Sequence, residues 1–376
     1  MDKNILIITG EPSGDARGAE LIKELKKLLP DVSFWGIGGD LMEKEGVRLV
    51  DHIRNLSILG VWEAVRSIRK IHDQYTRLTR EINSRKPALA VLIDYPGFNL
   101  KVASFLHSRN IPVIYYVVPQ VWAWGEWRVK ELRKNVSKCL TLFAFEEDFL
   151  KERGVNAKFV GNPLLDSAPE NTTKAHDTFT IALLPGSRRT ELVNMLPLML
   201  GAAEIIKKDR KDVDFIMAES SIMPDEMYAA ELAQHPSLKI TRMKDATYDV
   251  LALSDFAMVA SGTATLETAV MEKPMVVTYK VAYLTEMLFS ILSRLRLVSL
   301  VNIVAGGREI VPEVVRRDDA FPGKVALETL SIINDNSRME NMRSELRKVK
   351  KTLGSKGASR RAAEEIVKFS EEKNLI

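Results

Sequence analysis

Short apolar runs alternate with longer stretches of helical periodicity along the whole chain. In its first half the runs Ile5–Thr9, Ser33–Ile37, Leu89–Ile93, Val113–Val118, Leu140–Ala144 and Ala157–Val160 read as strands, with helices from about Gly14 to Leu29 and around Val61–Ser84. Runs without polar alternation are those of strands covered on both faces, and strand–helix–strand order implies right-handed crossovers and a parallel sheet. Gly161-Asn162-Pro163 stops the pattern, and the polar stretch from Asp166 to Asp177 precedes a second series at Phe179. That series runs through Thr180–Leu184, Phe215–Ala218, Lys239–Thr241, Phe256–Ala260 and Met275–Thr278. The expected class is α/β, with two Rossmann-like domains whose parallel sheets face a cleft, divided as 1–165 and 166–355. From about Ser337 the chain is charged and helical; residues 356–376 form a last helix that packs on the surface or returns across the junction.

Composition narrows the class little but excludes several others. With 376 residues, 46% hydrophobic and 28% charged, the chain exceeds what one core usually supports and is too apolar for disorder. The single cysteine, Cys139, excludes a disulfide framework and points to a reducing compartment, the cytoplasm; five scattered histidines lack zinc spacing. The apolar stretch Ile5–Ile8 is too short for a signal peptide, and no run approaches the roughly 20 apolar residues that span a bilayer. A net charge of +4 suits an anionic membrane surface or a phosphorylated substrate. No basic tract with interleaved aromatics points to nucleic acid.

Two loops carry the strongest chemical signal. Leu184-Pro-Gly-Ser-Arg-Arg-Thr-Glu191 and Ser261-Gly-Thr-Ala-Thr-Leu-Glu267 each follow a predicted buried strand and open a helix. Backbone amides and the helix dipole favour an anion there. Arg188 and Arg189 add planar guanidinium groups suited to a diphosphate, each such contact being worth on the order of 1.5–3 kcal/mol. Glu267, one turn into its helix, is placed to accept ribose hydroxyls, or serves simply as an acid in a first turn. Asn302 and Gly306-Gly-Arg-Glu309 form a further polar loop at a strand-like end that would complete a nucleotide pocket.

The first half supplies other candidates. In Gly10-Glu-Pro-Ser-Gly-Asp15 a glycine permits a tight turn and Ser13 or Asp15 can cap the following helix, or the loop faces an acceptor. Gly36-Ile-Gly-Gly-Asp40 lacks the full dinucleotide register. Asp94, directly after Leu89–Ile93 in Asp94-Tyr-Pro-Gly-Phe-Asn99, is the candidate general base; the alternative is an aspartate that caps the next turn, with Asn99 likewise bonding backbone. Trp122, Trp124 and Trp127 form a sugar-stacking wall, a lipid-facing wall or core. Asp212-Val-Asp214 resembles a metal-binding pair but sits in a Lys/Asp/Arg stretch that reads as a solvated loop. Tyr283 to Ile303 is amphipathic, and reads either as a membrane-surface face or as a core helix and strand.

Taken in order, Gly10–Asp15, Gly36–Asp40, Gly60-Val-Trp-Glu63, Asp94–Asn99, Pro119–Trp124, Pro185–Glu191, Ser261–Glu267 and Asn302 to Glu309 resemble the lipid-A-disaccharide synthase family over nearly the whole chain. The resemblance implies a GT-B glycosyltransferase that joins UDP-2,3-diacylglucosamine to 2,3-diacylglucosamine 1-phosphate (lipid X) through a β(1→6) bond with inversion, releasing UDP. It implies work at the cytoplasmic face of the inner membrane, on an anionic surface, with a homodimer left open and neither metal nor cofactor required. Carried onto this chain, Gly186, Ser187, Arg188, Ser261, Gly262, Thr263, Glu267 and Asn302 hold the UDP-sugar. Ser13, Gly14, Asp15, Glu63, Asn99 and Trp122 lie on the acceptor side, and Asp94 is the base. Some members carry a second acid where this chain has Gly97, so a role for that acid does not transfer. Two other readings stand beside it: a UDP-N-acetylglucosamine 2-epimerase, and a non-catalytic peripheral membrane protein that binds lipid or nucleotide.

Overall fold

The structure is a computed structural model. It describes residues 3–56, 63–122, 125–169, 178–279, 297–315 and 321–376, with backbone alone for 56 and 63–69. Contacts divide the chain into two compact units, residues 1–166 with 353–376, and residues 167–352. The Gly60–Trp62 part of one motif, Trp124, most of the polar stretch before Phe179, and Tyr283 to Arg296 lie outside the described residues.

In the first unit the strands are β1 (Asn4–Ile8), β2 (Ser33–Gly38), β3 (Arg48–His52), β4 (Leu89–Ile93), β5 (Val113–Tyr116), β6 (Lys138–Thr141) and β7 (Ala157–Phe159). The helices are α1 (Pro12–Leu28), α2 (Asp40–Lys44), α3 (Glu63–Arg85), α4 (Pro96–Ser108), α5 (Arg128–Asn135), α6 (Ala144–Lys151) and α7 (Leu164–Ser167) at the boundary. The sheet is seven-stranded in the order β3-β2-β1-β4-β5-β6-β7, every pairing parallel. Ile5 to Ile8 and Leu89 to Ile93 are fully buried, as expected of central strands packed on both faces. The order reverses between β1 and β4, the position where open parallel sheets bind ligands beyond the strands' carboxyl ends.

The last helix, Ala358–Glu372, belongs to this unit and packs on α1. Its buried face is Ala362, Ala363, Ile366 and Phe369. Asp166 caps it, accepting from the amides of Gly357 at 2.5 Å and Ala358 at 3.1 Å. Arg361 Nε donates to the Val160 carbonyl at 2.8 Å, so the strand end that leaves the sheet also holds the helix that returns to it.

The second unit has β8 (Phe179–Leu184), β9 (Val213–Glu219), β10 (Ile240–Lys244), β11 (Phe256–Ala260), β12 (Met275–Thr278) and β13 (Glu313–Val314), with α8 (Arg189–Asp209), α9 (Asp225–Leu232), α10 (Thr247–Ala252) and α11 (Thr263–Val270). Helices Leu300–Val304, Pro322–Ile333 and Asn336–Thr352 follow. Its six-stranded sheet runs β10-β9-β8-β11-β12-β13 and reverses between β8 and β11. The Pro322–Ile333 helix packs on α8. Gly201 allows the approach, since a Cβ there would lie 2.9 Å from Pro322.

Sequence and structure differ at a few elements. The run Leu140–Ala144 is not one strand: β6 ends at Thr141, and the Glu146 side chain, bonding back to Phe143, takes Ala144 into α6. The edge strands β3 and β13 lack apolar runs, because an edge needs no cover on its outer side. Neither Ser13 nor Asp15 is the N-cap of α1; that position is Glu11, whose side chain makes no capping bond. Asp15 is buried and caps α2 instead, accepting from Gly39, Leu41 and Met42 at 2.7, 3.0 and 3.2 Å. Gly36 in the glycine-rich segment serves packing, for a Cβ would strike the Ile7 carbonyl oxygen of the neighbouring strand.

Candidate active site

In the first unit three loops follow neighbouring strands at one edge of the sheet. Asp94 directly follows β4 at φ +49°, and Tyr95 comes next at φ +50°, two left-handed residues in succession. Such conformations cost of order 1–3 kcal/mol each and persist only where the surroundings over-determine them. Here they do. The Asp94 carbonyl accepts from Asn99 Nδ2 at 2.7 Å and from Tyr115 Oη at 2.6 Å, while Asn99 Nδ2 also reaches the Ile93 carbonyl at 3.2 Å. Burial, and after it the Asp94 carboxylate, pushes the Tyr115 hydroxyl well above its usual pKa, so it stays a donor. The turn is thus held through its backbone, and the α4 N-cap is Tyr95, whose side chain makes no capping bond.

The Gly10–Asp15 loop lies against this turn. A Cβ on Gly10 would fall 2.3 Å from the Tyr95 ring, which stacks on Phe98 at 5.6 Å. Burial and then Glu11 raise the Tyr95 pKa. Tertiary structure therefore joins two motifs far apart in sequence at the strand reversal. Ser13 is exposed in the first turn of α1, and Gly14 is buried against Thr9, where no side chain would fit. Nothing lies within 4 Å of where a Cβ on Gly97 would be, so this position is open. Beyond β5, Val117 is again left-handed (φ +59°), rare for a β-branched residue, and leads to Trp122, whose indole Nε1 donates to Glu146 at 3.0 Å. Trp127 is 65% exposed with Arg128 over its ring, and the side chain of Glu63 lies outside the described residues.

In the second unit the two glycine loops follow β8 and β11, the strands at the reversal. Gly186 has φ +100°, and the Glu191 carboxylate folds back on the turn to accept from the amides of Ser187 at 3.1 Å and Arg188 at 3.3 Å. These amides are therefore turned toward one acceptor site at the start of α8. Arg188, exposed along 70% of its side chain, meets Glu191 at 3.4 Å, and Arg189 is exposed beside it. Gly262, at φ +155°, precedes Thr263 at the start of α11, and nothing stands within 4 Å of where a Cβ would be, so the backbone can be approached closely. Ser261 Oγ donates to the Val298 carbonyl at 3.3 Å, and Glu267 is half-buried in α11.

Asn302 does not lie at a strand end; it is inside the Leu300–Val304 helix and completely buried. Its Nδ2 donates to the Val311 carbonyl (2.9 Å) and Glu313 (2.7 Å), and its Oδ1 accepts from the amides of Ile310 (2.9 Å) and Val311 (3.1 Å). All of its amide capacity is used within 297–313, the segment that Ser261 meets through the Val298 carbonyl. Glu313 is the hub, accepting also from the Val298 and Ser299 amides and the Ser299 hydroxyl. Asn302→Ala strands these groups and is expected to cost about 3 kcal/mol of stability. Asn302→Asp, nearly isosteric, destabilises too, because it sets a second carboxylate against Glu313; thermal melts of both variants test this.

Asp212 and Asp214 pair with Arg210 and Lys207. The Arg210 hydrogen bond holds Asp212 down at about 2. Among the described residues no group of three or more His, Cys, Asp or Glu could hold a metal, and no helix is long and apolar enough to cross a membrane. Sequence reasoning missed Tyr115, Glu146, Glu191 and Glu313. A tyrosine pair in a buried strand is a signal that a partner is needed; Glu313 carries none.

Solved structures share this architecture. UDP-GlcNAc 2-epimerase from Neisseria meningitidis, bound to UDP-GlcNAc, superposes with a TM-score of 0.66 at 12% identity, covering 97% of this chain and 100% of that one. Acinetobacter baumannii MurG gives 0.62 at 11% identity, covering 98% and 100%. At such identities the likeness is one of fold, the GT-B fold of two parallel α/β units. Sequence goes further. The Lipid-A-disaccharide synthetase family matches residues 5–368. Lipid-A-disaccharide synthases of Anaeromyxobacter dehalogenans (strain 2CP-C) and Geobacter sulfurreducens are 36% and 37% identical over 371 and 368 residues, covering 96% of this chain and 96% and 95% of theirs. Fold and sequence together define a GT-B glycosyltransferase. The chain belongs to the lipid-A-disaccharide synthase family, enzymes of lipid A disaccharide formation.

Proposed function

We propose that the enzyme transfers the 2,3-diacylglucosamine of its UDP derivative to the 6-hydroxyl of 2,3-diacylglucosamine 1-phosphate with inversion. Asp94 takes the hydroxyl proton, the acceptor oxygen bonds to the anomeric carbon, and the bond to the diphosphate breaks as UDP leaves. Arg188 and the helix starts after Gly186 and Gly262 stabilise the negative charge that gathers on the diphosphate. Ser187, Ser261, Thr263 and Glu267 hold the nucleotide, and Asn302 acts at one remove by shaping the loop beside Ser261. The acceptor faces Ser13, Gly14, Glu63 and Trp122, with Asp15 and Asn99 holding the loops on which that side is built. The observation that carries the reading is Asp94 itself, a carboxylate on a strained turn fixed through its backbone at the strand reversal.

The test is UDP release from UDP-2,3-diacylglucosamine in detergent and EDTA, with and without the 1-phosphate acceptor. Release that depends on acceptor, with a disaccharide product, is expected. Release without acceptor, or interconversion of the donor's sugar, would move the assignment toward an epimerase. A protein that works beside an anionic inner-membrane surface should also turn over faster in anionic than in zwitterionic mixed micelles.

A further inference from the structure

Glu146 is 4% exposed in the first turn of α6, and among the described residues no cation pairs with its carboxylate. Removing a carboxylate from water is costly, and burial pushes its pKa up to about 7. What it does with its oxygens is specific. Oε2 accepts from the amides of Leu142 and Phe143, both at 3.3 Å, and Oε1 accepts from the Trp122 indole at 3.0 Å. The first two bonds close the start of α6. The third reaches across to the loop after the neighbouring strand β5, where Trp122 meets Phe145 edge-on at 5.1 Å and Phe145 stacks on the buried Phe143 at 5.6 Å. Trp122 and Phe145 are only half-buried, so a built aromatic surface remains open on the edge of the sheet that carries Asp94. Without a bond at its nitrogen the indole could rotate on its two side-chain torsions and the surface would lose its shape.

We propose that Glu146 is a positioning residue for the acceptor: by anchoring the Trp122 indole, it holds the Trp122–Phe145 surface on which the apolar face of the acceptor's hexose ring packs. The proposal rests on the acceptor-side reading of Trp122. On the same reading the nucleotide is held by residues of the second unit, so the effect should fall on one substrate only.

The experiment is a double-mutant cycle on the full-length enzyme with Glu146→Gln, Trp122→Phe and the double variant, recording kcat and KM for acceptor and donor separately, with melting temperature and UDP affinity as controls of folding. Gln cannot accept at both ends, and Phe keeps an aromatic face but has no N–H. Each single change is expected to raise the acceptor KM about tenfold, the loss of one charge-assisted bond, and to leave the donor KM within about twofold. The double variant should be no worse than Trp122→Phe alone. If Glu146→Gln folds poorly, Glu146→Met, apolar and of similar volume, carries the same comparison. Effects that multiply in the double variant, or a Glu146 change that moves both KM values and kcat together, would overturn the positioning role and leave the acceptor reading standing. An unchanged acceptor KM in Trp122→Phe overturns the acceptor reading of Trp122, and the inference with it.

Discussion

Asp94→Asn is expected to lower kcat by about 10²–10⁴-fold while both KM values stay within a few-fold and the melting temperature holds. The change is nearly isosteric, and asparagine tolerates the left-handed conformation as well as aspartate does. The bonds from Asn99 and Tyr115 that fix the turn go to the backbone carbonyl of residue 94, which the substitution leaves in place. What disappears is the ability to take a proton. Burst-free steady-state kinetics together with a thermal melt decide the matter; wild-type turnover in a folded Asp94→Asn protein would sink the base assignment. Asn99→Ala gives a useful contrast, for it removes the clamp and keeps the carboxylate. It should lower activity and stability together.

Arg188→Ala is the second large effect, an expected loss of about 10²–10³-fold in kcat/KM for the UDP-sugar with the fold unchanged. The side chain is 70% exposed, so its contact with Glu191 contributes little to stability. The Glu191 carboxylate keeps its two backbone donors, so the turn at Gly186 survives the substitution. Arg188→Lys should recover only part of the activity, because a point charge does not reproduce the planar fork that bridges two phosphoryl oxygens. Calorimetric titration with UDP separates binding from chemistry. Undiminished UDP affinity and turnover in Arg188→Ala would remove this residue from the nucleotide grip.

Much of this was legible before folding because central parallel strands declare themselves. Leu89–Ile93, Phe256–Ala260 and Met275–Thr278 are covered on both faces, so every position is apolar and the run has sharp ends. The same sharp ends place Asp94, Gly186 and Ser261 at strand termini, and the order of motifs along the chain carries the family. Local chemistry, however, has several outlets for one residue type. Asp15 looks like a cap for its own helix and proves to be the cap of α2, because the loop from β2 passes over it. Asn302 looks like a ligand-facing amide and proves to be a buried joint whose partners lie 8 to 11 residues onward.

The sequence by itself determined the alternation of strand and helix, the fold of two parallel α/β units and the family, since burial on both faces and glycine at tight turns leave direct marks on composition. Only the tertiary structure decided which loops meet. Strand order sets β1 beside β4 and β8 beside β11, bringing Gly10 onto Tyr95 and the two glycine loops to one edge. Strand order is a property of long-range pairing that no local pattern encodes. The partners of the buried Glu146 and the half-buried Glu313 were hidden for the same reason: a carboxylate drawn out of water is stable only where the fold delivers its donors.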